Sequence, residues 1–345
     1  MTAMTAFPVA GDAAREYFDF YGVGIEVGST SPELVEEVRR DFAYFHRPAS
    51  NPSDGVCIEV RLASPPYDTL PPLRASVFTP RNVCFRDTHV TYIDYFGQAL
   101  AVFERATKRC VVYGTDPDLL HEIVYLFILS TVGQALDARG IHRVHALGVS
   151  HRGRGILLLL PSGGGKSTMA LELMRRPEFL LLGEDTPLID RAGRILPFPL
   201  RLGVRPDQKI DVPPQYLRTV RRMEFNPKTL IDIEYVRDRI GGVTEPSLVL
   251  VGERNLGATS EIVPMPRHEA LKALVKYLIV GLGIYQGMEF LLERGLWELT
   301  GKLGVAASRL RNGVRLLGRA PAHRFVLGRD IAKNYETLLA FLERS

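Results

Sequence analysis

A glycine-rich turn that closes on a lysine and a serine is the part of this sequence best suited to carry chemistry. Residues 156–168 start with an apolar run and continue as Pro-Ser-Gly-Gly-Gly-Lys-Ser-Thr. The run, ended by Pro161, predicts a buried parallel strand, and the residues from Met169 onward have the composition of a helix start. Consecutive glycines between them let backbone N–H groups surround an anion, beside the partial positive charge of a helix N-terminus. Lys166 can then reach the terminal phosphates of a nucleoside triphosphate, and the Ser167 hydroxyl can bind Mg²⁺.

This turn matches a P-loop at all but one of the defining positions. The Walker A pattern asks for glycine, four residues and then Gly-Lys-Ser/Thr, and Leu160 stands where the first glycine is expected. The alternative is an ordinary strand-to-helix connection that happens to be glycine-rich, but three consecutive glycines weaken regular structure and would need another purpose. We therefore expect the turn to bind ATP and Mg²⁺. The predicted nucleotide-binding residues are Ser162, Gly163, Gly164, Gly165, Lys166, Ser167 and Thr168.

Two adjacent acids follow the turn at a spacing that suits phosphoryl transfer. Glu184 and Asp185 end an apolar run, 18 and 19 positions after Lys166, which leaves room for one helix between two strands. One carboxylate at such a strand end can hold Mg²⁺, and the other can accept the proton of an attacking hydroxyl. Repulsion between the two raises the proton affinity of one of them, which suits a general base. The alternative is a solvated acidic turn after a strand.

A histidine is the third candidate for this chemistry. His145 is predicted to lie on the strand before the P-loop strand, in the stretch Val-His-Ala-Leu-Gly-Val. A lone histidine on an apolar strand is more often a hydrogen-bonded core residue than a catalyst, and the nearby His142 is equally titratable. The residues alone do not choose between the two histidines.

The order of these three features resembles the catalytic domain of HPr kinase/phosphorylase. In that family a histidine precedes a Gly-x-Ser-Gly-x-Gly-Lys-Ser loop, and an Ala-Asp-Asp step follows a short helix. The matching stretches here are residues 143–149, 161–167 with 170–173, and 181–185, and the likeness extends over roughly residues 120–215. The whole chain looks more like the divergent HPr-kinase-related proteins, some of which accompany peptide-modification gene clusters, than like the regulatory enzyme.

The resemblance implies a fold class and a role for each site residue. The fold would be an α/β P-loop kinase domain, like that of HPr kinase and PEP carboxykinase, preceded by a smaller α+β N-terminal domain. By this likeness His145 assists the acid/base step. Glu184 stands where the family has its catalytic aspartate, and Asp185 matches the second aspartate, which helps to position metal and substrate. The implied Mg²⁺ ligands are Ser167 and Asp185.

An arginine and several departures complete the comparison with that family. Arg201 loosely resembles a later arginine that clamps phosphate, Arg205 is an alternative for that role, and both can equally be surface arginines. Leu160, Pro161, Thr168 and Glu184 replace a glycine, two acidic residues and an aspartate of the family pattern. No clear copy of the downstream signature linked to phosphorolysis is present. The resemblance therefore implies kinase activity more strongly than it implies the reverse reaction. It gives little support to HPr as the substrate.

The function predicted from these features is an ATP- and Mg²⁺-dependent kinase that phosphorylates a hydroxyl, first of all a serine of a peptide or small protein. The N-terminal domain would then recognise the acceptor or form a homo-oligomer contact. Three alternatives stay open. The acceptor can be a free amino acid or a sugar, the chain can be a nucleotide-responsive binding module without transfer activity, or the P-loop can be an empty relic.

Length and composition limit the remaining possibilities. At 345 residues the chain predicts two domains, over residues 1–115 and 116–345. A net charge of +4 from scattered arginines, without a dense basic run, argues against a nucleic-acid partner and suits an anionic ligand. Three cysteines without metal-type spacing, and a start without a secretion signal, predict a cytoplasmic protein. The apolar stretch 119–132 is short for a membrane span, so we expect a buried helix and no membrane partner.

Local patterns predict several helices and strands. Ser31 before Pro32 predicts a helix start, with Leu34, Val35, Val38, Phe42 and Phe45 on one apolar face. Residues 57–62 and 90–96 alternate as strands do, and residues 100–103 and 110–113 predict a hairpin. A helix is expected from residue 117 to about 139, ended by Gly140. Further strands are expected at residues 143–149, 179–182 and 247–251, and further helices at 266–279 and 330–344. The apolar face of the last helix is predicted to comprise Ile331, Tyr335, Leu338, Leu339 and Leu342.

Overall fold

The computed structural model describes residues 13–48, 55–160, 165–204, 211–221, 227–278 and 296–344, without the side chains of residues 296–302. Internal contacts divide the chain into two compact units. The first comprises Met1–Val132 with Thr219–Lys228, and the second comprises Gly133–Arg218 with Thr229–Ser345. The division between the two units therefore falls inside a long helix, after residue 115. The domain boundary predicted at residue 115 stays a prediction.

The first unit is built on a nine-stranded sheet with the order β3-β1-β2-β4-β9-β8-β7-β6-β5. Its middle strands β2, β4 and β9 run parallel, and β9 to β5 form an antiparallel meander. The strands are β1 Ala14–Phe20, β2 Val23–Ser29, β3 His46–Arg47, β4 Val56–Leu62, β5 Ala75–Phe78, β6 Val83–Arg86, β7 Val90–Asp94, β8 Ala99–Glu104 and β9 Arg109–Gly114. Short 3₁₀ turns occur at Ala43–Phe45 and Tyr67–Thr69.

Helix α1, Pro32–Asp41, begins as the sequence predicts. The Ser31 side chain accepts a hydrogen bond from the Leu34 backbone N–H at 3.4 Å, and proline occupies the first helical turn, where its missing N–H costs nothing. All five residues of the predicted apolar face are buried, but only Leu34, Val35 and Val38 lie on the helix. Phe42 is its C-cap and Phe45 lies in the following 3₁₀ turn. The predicted β8–β9 hairpin is confirmed, with Phe103 paired with Cys110 in antiparallel register.

Helix α2, Pro117–Ala138, is the predicted long apolar helix. Gly140 follows it with φ +71°, a left-handed conformation that glycine adopts without steric cost and that commonly ends helices. Among the helices that the structure describes, α2 is the one whose length and composition would let it cross a membrane, and 78% of that apolar window is buried inside the protein. A core helix of a folded domain passes the same test, so its hydropathy is weak evidence for a span.

The second unit contains a six-stranded sheet with the order β13-β11-β12-β19-β21-β20. Strand β12 is parallel to β19 but antiparallel to β11, so the expected parallel strand has a parallel neighbour on one side only. The predicted strands 179–182 and 247–251 are confirmed as β13 and β19. The strands are β11 Leu147–His151, β12 Arg154–Leu159, β13 Phe179–Gly183, β19 Pro246–Arg254, β20 Glu261–Pro264 and β21 Ala322–Leu327.

In the part of the chain that the structure describes, two smaller sheets and four helices accompany this sheet. The small sheets have the orders β10-β14-β15 and β16-β18-β17. Their strands are β10 His142–Arg143, β14 Leu188–Ile189, β15 Ile195–Leu196, β16 Leu202–Val204, β17 Leu217–Val220 and β18 Lys228–Ile231. The helices are α3 Lys166–Met174, α4 Arg267–Leu278, α5 Leu296–Arg319 and α6 Ile331–Arg344, with 3₁₀ turns at Pro214–Tyr216 and Ile233–Arg239. Helix α3 packs against β11, β13 and β16, which places its start beside the ends of those strands.

Two sequence-based expectations are wrong in detail. Ile331, predicted on the buried face of the last helix, is 47% exposed, because it lies in the first turn before the helix reaches the sheet-facing residues Leu338 and Leu342. The predicted strand 143–149 is interrupted, because β10 and β11 belong to different sheets. His145 lies in the bend between them and not on a strand. Ile279, predicted at the end of α4, lies outside the described residues.

Candidate functional site

The glycine-rich turn leads into α3 through a backbone conformation that only glycine adopts easily. Gly165 is the N-cap of α3, with φ +84°, and its carbonyl accepts the Met169 backbone N–H at 2.8 Å. A Cβ at this position would have no neighbour within 4 Å, so the glycine is needed for its backbone angle and the space beside it is open. Ser162, Gly163 and Gly164, three of the predicted nucleotide-binding residues, lie outside the described part of the chain.

Lys166 is the first residue of α3, and its side chain is only 9% exposed. Its Nζ donates to His145 Nε2 at 3.1 Å and more weakly to the Leu160 carbonyl oxygen at 3.5 Å. Asp185 Oδ1 lies 3.5 Å from the same nitrogen. An imidazole nitrogen that accepts a hydrogen bond carries no proton, so in this arrangement the proton of neutral His145 is on Nδ1. The ammonium group is therefore shared between a neutral acceptor and a carboxylate.

His145 is held on several sides. Its Nδ1 lies 3.0 Å from Asp185 Oδ1, an ion-pair distance without hydrogen-bond geometry, so this buried nitrogen has no hydrogen-bond partner among the described residues. Its backbone N–H donates to the Tyr277 carbonyl oxygen at 3.2 Å, and the Ala146 N–H donates to the Asp185 carbonyl oxygen at 3.3 Å. The Tyr277 ring lies nearly parallel to the imidazole, with 6.0 Å between ring centroids and 14° between planes.

The two acids follow β13 directly, beside the start of α3. The Ser167 hydroxyl donates to Glu184 Oε1 at 2.7 Å, and Asp185 reaches Lys166 and His145 as described above. Glu184 and Asp185 are both half-buried, and the Asp185 side chain is 41% exposed. The expected proximity of the acid pair to the lysine–serine step is therefore present, whereas the roles assigned to these residues stay predictions.

Two further predicted residues lie on α3 or next to a strand that packs against it. Thr168 is the third residue of α3 and is half-buried. Arg201 is half-buried immediately before β16, a strand that packs against α3. This position suits a clamp on a ligand at the start of α3, a role that stays a prediction. Arg205, the alternative arginine, lies outside the described residues.

The structure separates the two histidines that the sequence could not. His142 is fully buried, with Nδ1 at 2.7 Å from Asp137 Oδ1 and Nε2 at 2.8 Å from Ser308 Oγ. Arg309 donates to the same Asp137 carboxylate at 2.6 Å. Burial alone would raise the pKa of Asp137, but the His142 hydrogen bond and the Arg309 charge outweigh it, and the pKa is lowered. His142 is thus a core histidine with both nitrogens occupied.

Tyr277 is the site residue that sequence reasoning missed. The periodicity of α4 marks its leucines as core positions, and nothing in that pattern distinguishes a tyrosine between them. Burial raises the pKa of the Tyr277 phenol, so the ring stays neutral near neutral pH. A sequence pattern could have found this residue only through knowledge of which helix lies over the bend at His145.

The donor set at this site fits a hard cation together with a polyphosphate. The Ser167 hydroxyl and the two carboxylates are oxygen ligands of the kind that Mg²⁺ prefers. No group of three or more histidine, cysteine or acidic side chains suitable for a metal occurs within the described residues. A shortage of protein ligands is usual for Mg²⁺ bound with a nucleotide, because water and phosphate oxygens complete its shell.

Comparison with known proteins adds no assignment to this geometry. No protein-family model matches the chain, and no curated protein is significantly similar to it in sequence. The likeness to HPr kinase therefore stays a resemblance of short motifs, and the function has to be argued from the residues around Lys166.

Proposed function

We propose that this protein is an ATP- and Mg²⁺-dependent kinase that transfers the γ-phosphoryl group to a hydroxyl, in the first place a serine of a peptide or small protein. The observation that carries the proposal is the cluster at the start of α3. There the Lys166 ammonium group, the His145 imidazole and the Asp185 carboxylate lie pairwise within 3.5 Å. Beside them in the chain, the Ser167 hydroxyl donates to Glu184 at 2.7 Å. A merely solvated acidic turn would not gather these groups around a P-loop lysine.

Lys166 and the backbone of the turn would hold the triphosphate. The present partners of the Lys166 ammonium group are His145 and Asp185. Phosphate oxygens can replace them, because phosphate oxygens are stronger hydrogen-bond acceptors than an imidazole nitrogen. The positive end of α3 adds to the same attraction. Arg201 is our candidate for a further phosphate contact, since it precedes a strand packed on α3.

Ser167 and Asp185 are the residues that would hold Mg²⁺. When bound, the cation neutralises charge on the phosphate oxygens. The open, half-exposed position of Asp185 leaves one of its edges accessible to water and ligand. Glu184 accepts the Ser167 hydroxyl, so its carboxylate is held beside the residue that would bind the cation.

The proposed transfer is an in-line displacement. The acceptor oxygen attacks the γ-phosphorus, the bond between that phosphorus and the β-bridging oxygen breaks, and ADP leaves. The hydroxyl proton passes to Glu184 or Asp185. When Glu184 takes it, His145, with its proton on the nitrogen nearest Asp185, stabilises the Asp185 carboxylate. Lys166 stabilises the negative charge on the transferring group.

A single-turnover assay with γ-labelled ATP tests this proposal. Acceptors should include serine-containing peptides, free amino acids and sugars, so that the acceptor class is read in the same experiment. We expect transfer by the wild type and a loss of about 10²–10⁴-fold in Glu184→Gln with nucleotide binding retained.

Glu172→Gln is the matched control. Glu172 is a partly exposed carboxylate on the same helix α3 that forms an ion pair with Arg175, so its loss should leave transfer unchanged. Nucleotide binding by the wild type without transfer to any acceptor would replace the kinase by a nucleotide-responsive binding module. Absence of nucleotide binding would overturn both.

A further inference from the structure

The orientation of the His145 ring depends on one aromatic neighbour. We propose that Tyr277 is a positioning residue that fixes the plane of the His145 imidazole, so that Nε2 faces the Lys166 ammonium group. The proposal rests on the proposed function only where it concerns phosphoryl transfer. Its structural part, the orientation of the ring, stands on the contacts of His145 alone.

Tyr277 holds His145 at two points. The carbonyl oxygen of Tyr277 accepts the His145 backbone N–H at 3.2 Å, and its ring lies at 14° to the imidazole. His145 lies in a bend outside any strand, so it lacks the ladder hydrogen bonds that would otherwise fix its backbone. The backbone and the ring of His145 therefore both contact the same residue of α4, Tyr277.

Hydrogen bonds by themselves leave the imidazole under-determined. Rotation about the bond to an aromatic ring has broad minima, so a histidine ring needs neighbours that define its plane. Nδ1 of His145 has no hydrogen-bond partner within the described chain, although Asp185 lies 3.0 Å away. Among the described residues, Lys166 is the hydrogen-bond partner of Nε2. When Lys166 turns to a triphosphate, the stacked Tyr277 ring becomes the remaining constraint on the imidazole plane.

Tyr277 is itself anchored to the interior of the second unit. Its ring packs against the main apolar core of that unit, which includes Leu274 and Leu278 of the same helix. The Leu278 carbonyl oxygen, one residue on, accepts the Arg309 guanidinium at 2.7 Å, and Arg309 is paired with Asp137. The residue that orients His145 is therefore tied to a buried ionic network and is not a loose surface aromatic.

We expect the orientation of the His145 imidazole to depend on the aromatic ring of Tyr277 and not on its hydroxyl. We would compare Tyr277→Phe, which keeps the ring, with Tyr277→Leu, and would use Tyr277→Met if the leucine variant fails to fold. Imidazole ¹H–¹⁵N spectra report the tautomer and line width of each histidine, and the His145 signals are identified by their loss in His145→Gln.

In the wild type and in Tyr277→Phe we expect one set of sharp His145 signals with the proton on Nδ1. In Tyr277→Leu we expect mixed tautomers or broadened signals, while the His142 signals stay unchanged. In single-turnover assays the leucine variant should lose at least about tenfold in rate with unchanged ATP affinity, and the phenylalanine variant should regain it.

Unchanged His145 signals in a folded Tyr277→Leu protein would overturn the inference. So would a loss of orientation in Tyr277→Phe as large as in the leucine variant, because the hydroxyl would then be the important group. If the wild type transfers no phosphoryl group to any acceptor, the proposed function fails, whereas the imidazole spectra still decide the role of Tyr277.

Discussion

Two histidines three residues apart, His142 and His145, show how a saturated ionic network differs from an open one in this protein. His142 is fully buried, and both of its nitrogens are occupied by partners on rigid helices. The His145 side chain is 19% exposed, and its nitrogens face a lysine and a half-exposed carboxylate. The first environment leaves no room for a ligand, and the second consists of groups that a ligand can displace.

The two carboxylates beside these histidines differ in the same way. Asp137 is shared by His142 and Arg309, and its pKa is lowered despite burial. Asp185 lies near His145 and Lys166 with 41% of its side chain exposed. A saturated buried network contributes to stability, because removing one member leaves a charge without compensation. A partly open cluster suits the proposed binding and proton transfer, because its exposed members can exchange partners.

The largest effect should come from the open cluster. In Lys166→Met we expect ATP binding or transfer to fall by about 10²–10³-fold, because the preorganised positive charge at the phosphate site is gone. The free energy of unfolding should change little, so the loss of activity would not come from unfolding. A nucleotide-induced shift in melting temperature and the single-turnover rate measure both.

Lys272→Met serves as the control for that change, since Lys272 is an exposed lysine of α4. It should leave nucleotide binding and transfer unchanged. A Lys166→Met protein that keeps the full nucleotide-induced shift would show that the turn does not hold the phosphates.

The next largest effect should come from the saturated network. In Asp137→Asn we expect a loss of about 3 kcal/mol in the free energy of unfolding at neutral pH, because Arg309 is left buried without its charge partner. Urea unfolding followed by circular dichroism measures it. The exposed Glu234–Arg237 pair is the contrast, and Glu234→Gln should cost only about 0.5 kcal/mol or less.

The pH dependence sharpens this comparison. The pKa of Asp137 in the folded protein lies below its ordinary value of 3.8. A lowered carboxyl pKa contributes stability that is fully present above the ordinary pKa and is lost as pH falls through the folded value. The stability difference between wild type and Asp137→Asn should therefore be constant from neutral pH to about pH 5 and shrink below pH 3.8. A difference that grows on acidification would contradict this assignment.

The smallest effects should distinguish two glycines in helical surroundings. Gly165→Ala should destabilise the protein by about 1 kcal/mol, because its φ of +84° is unfavourable for alanine although no atom blocks the Cβ. Gly304→Ala in α5 should stabilise by about 0.5–1 kcal/mol, since that Cβ also meets no atom and the position is helical. If both substitutions changed the free energy of unfolding in urea in the same direction, the backbone angle would not explain the glycine at the start of α3.

The sequence alone determined the elements whose cause is local. The Ser31 cap with Pro32, the β8–β9 hairpin, the long apolar helix before Gly140 and the strand that precedes Glu184 all follow from capping, alternation or periodicity within one segment. The lysine–serine step after the glycines and the acid pair were also visible, because their types and spacing are themselves the pattern.

Only the tertiary structure decided which histidine belongs to the site and what holds it. His145 leaves the strand because the chain changes sheets between β10 and β11, and Tyr277 reaches it from a helix far along the chain. Such contacts depend on sheet order and on which helix covers which strand end, and neither is encoded in the periodicity of a single segment. Local patterns specify where a residue faces on its own element, whereas the packing between elements specifies what it meets.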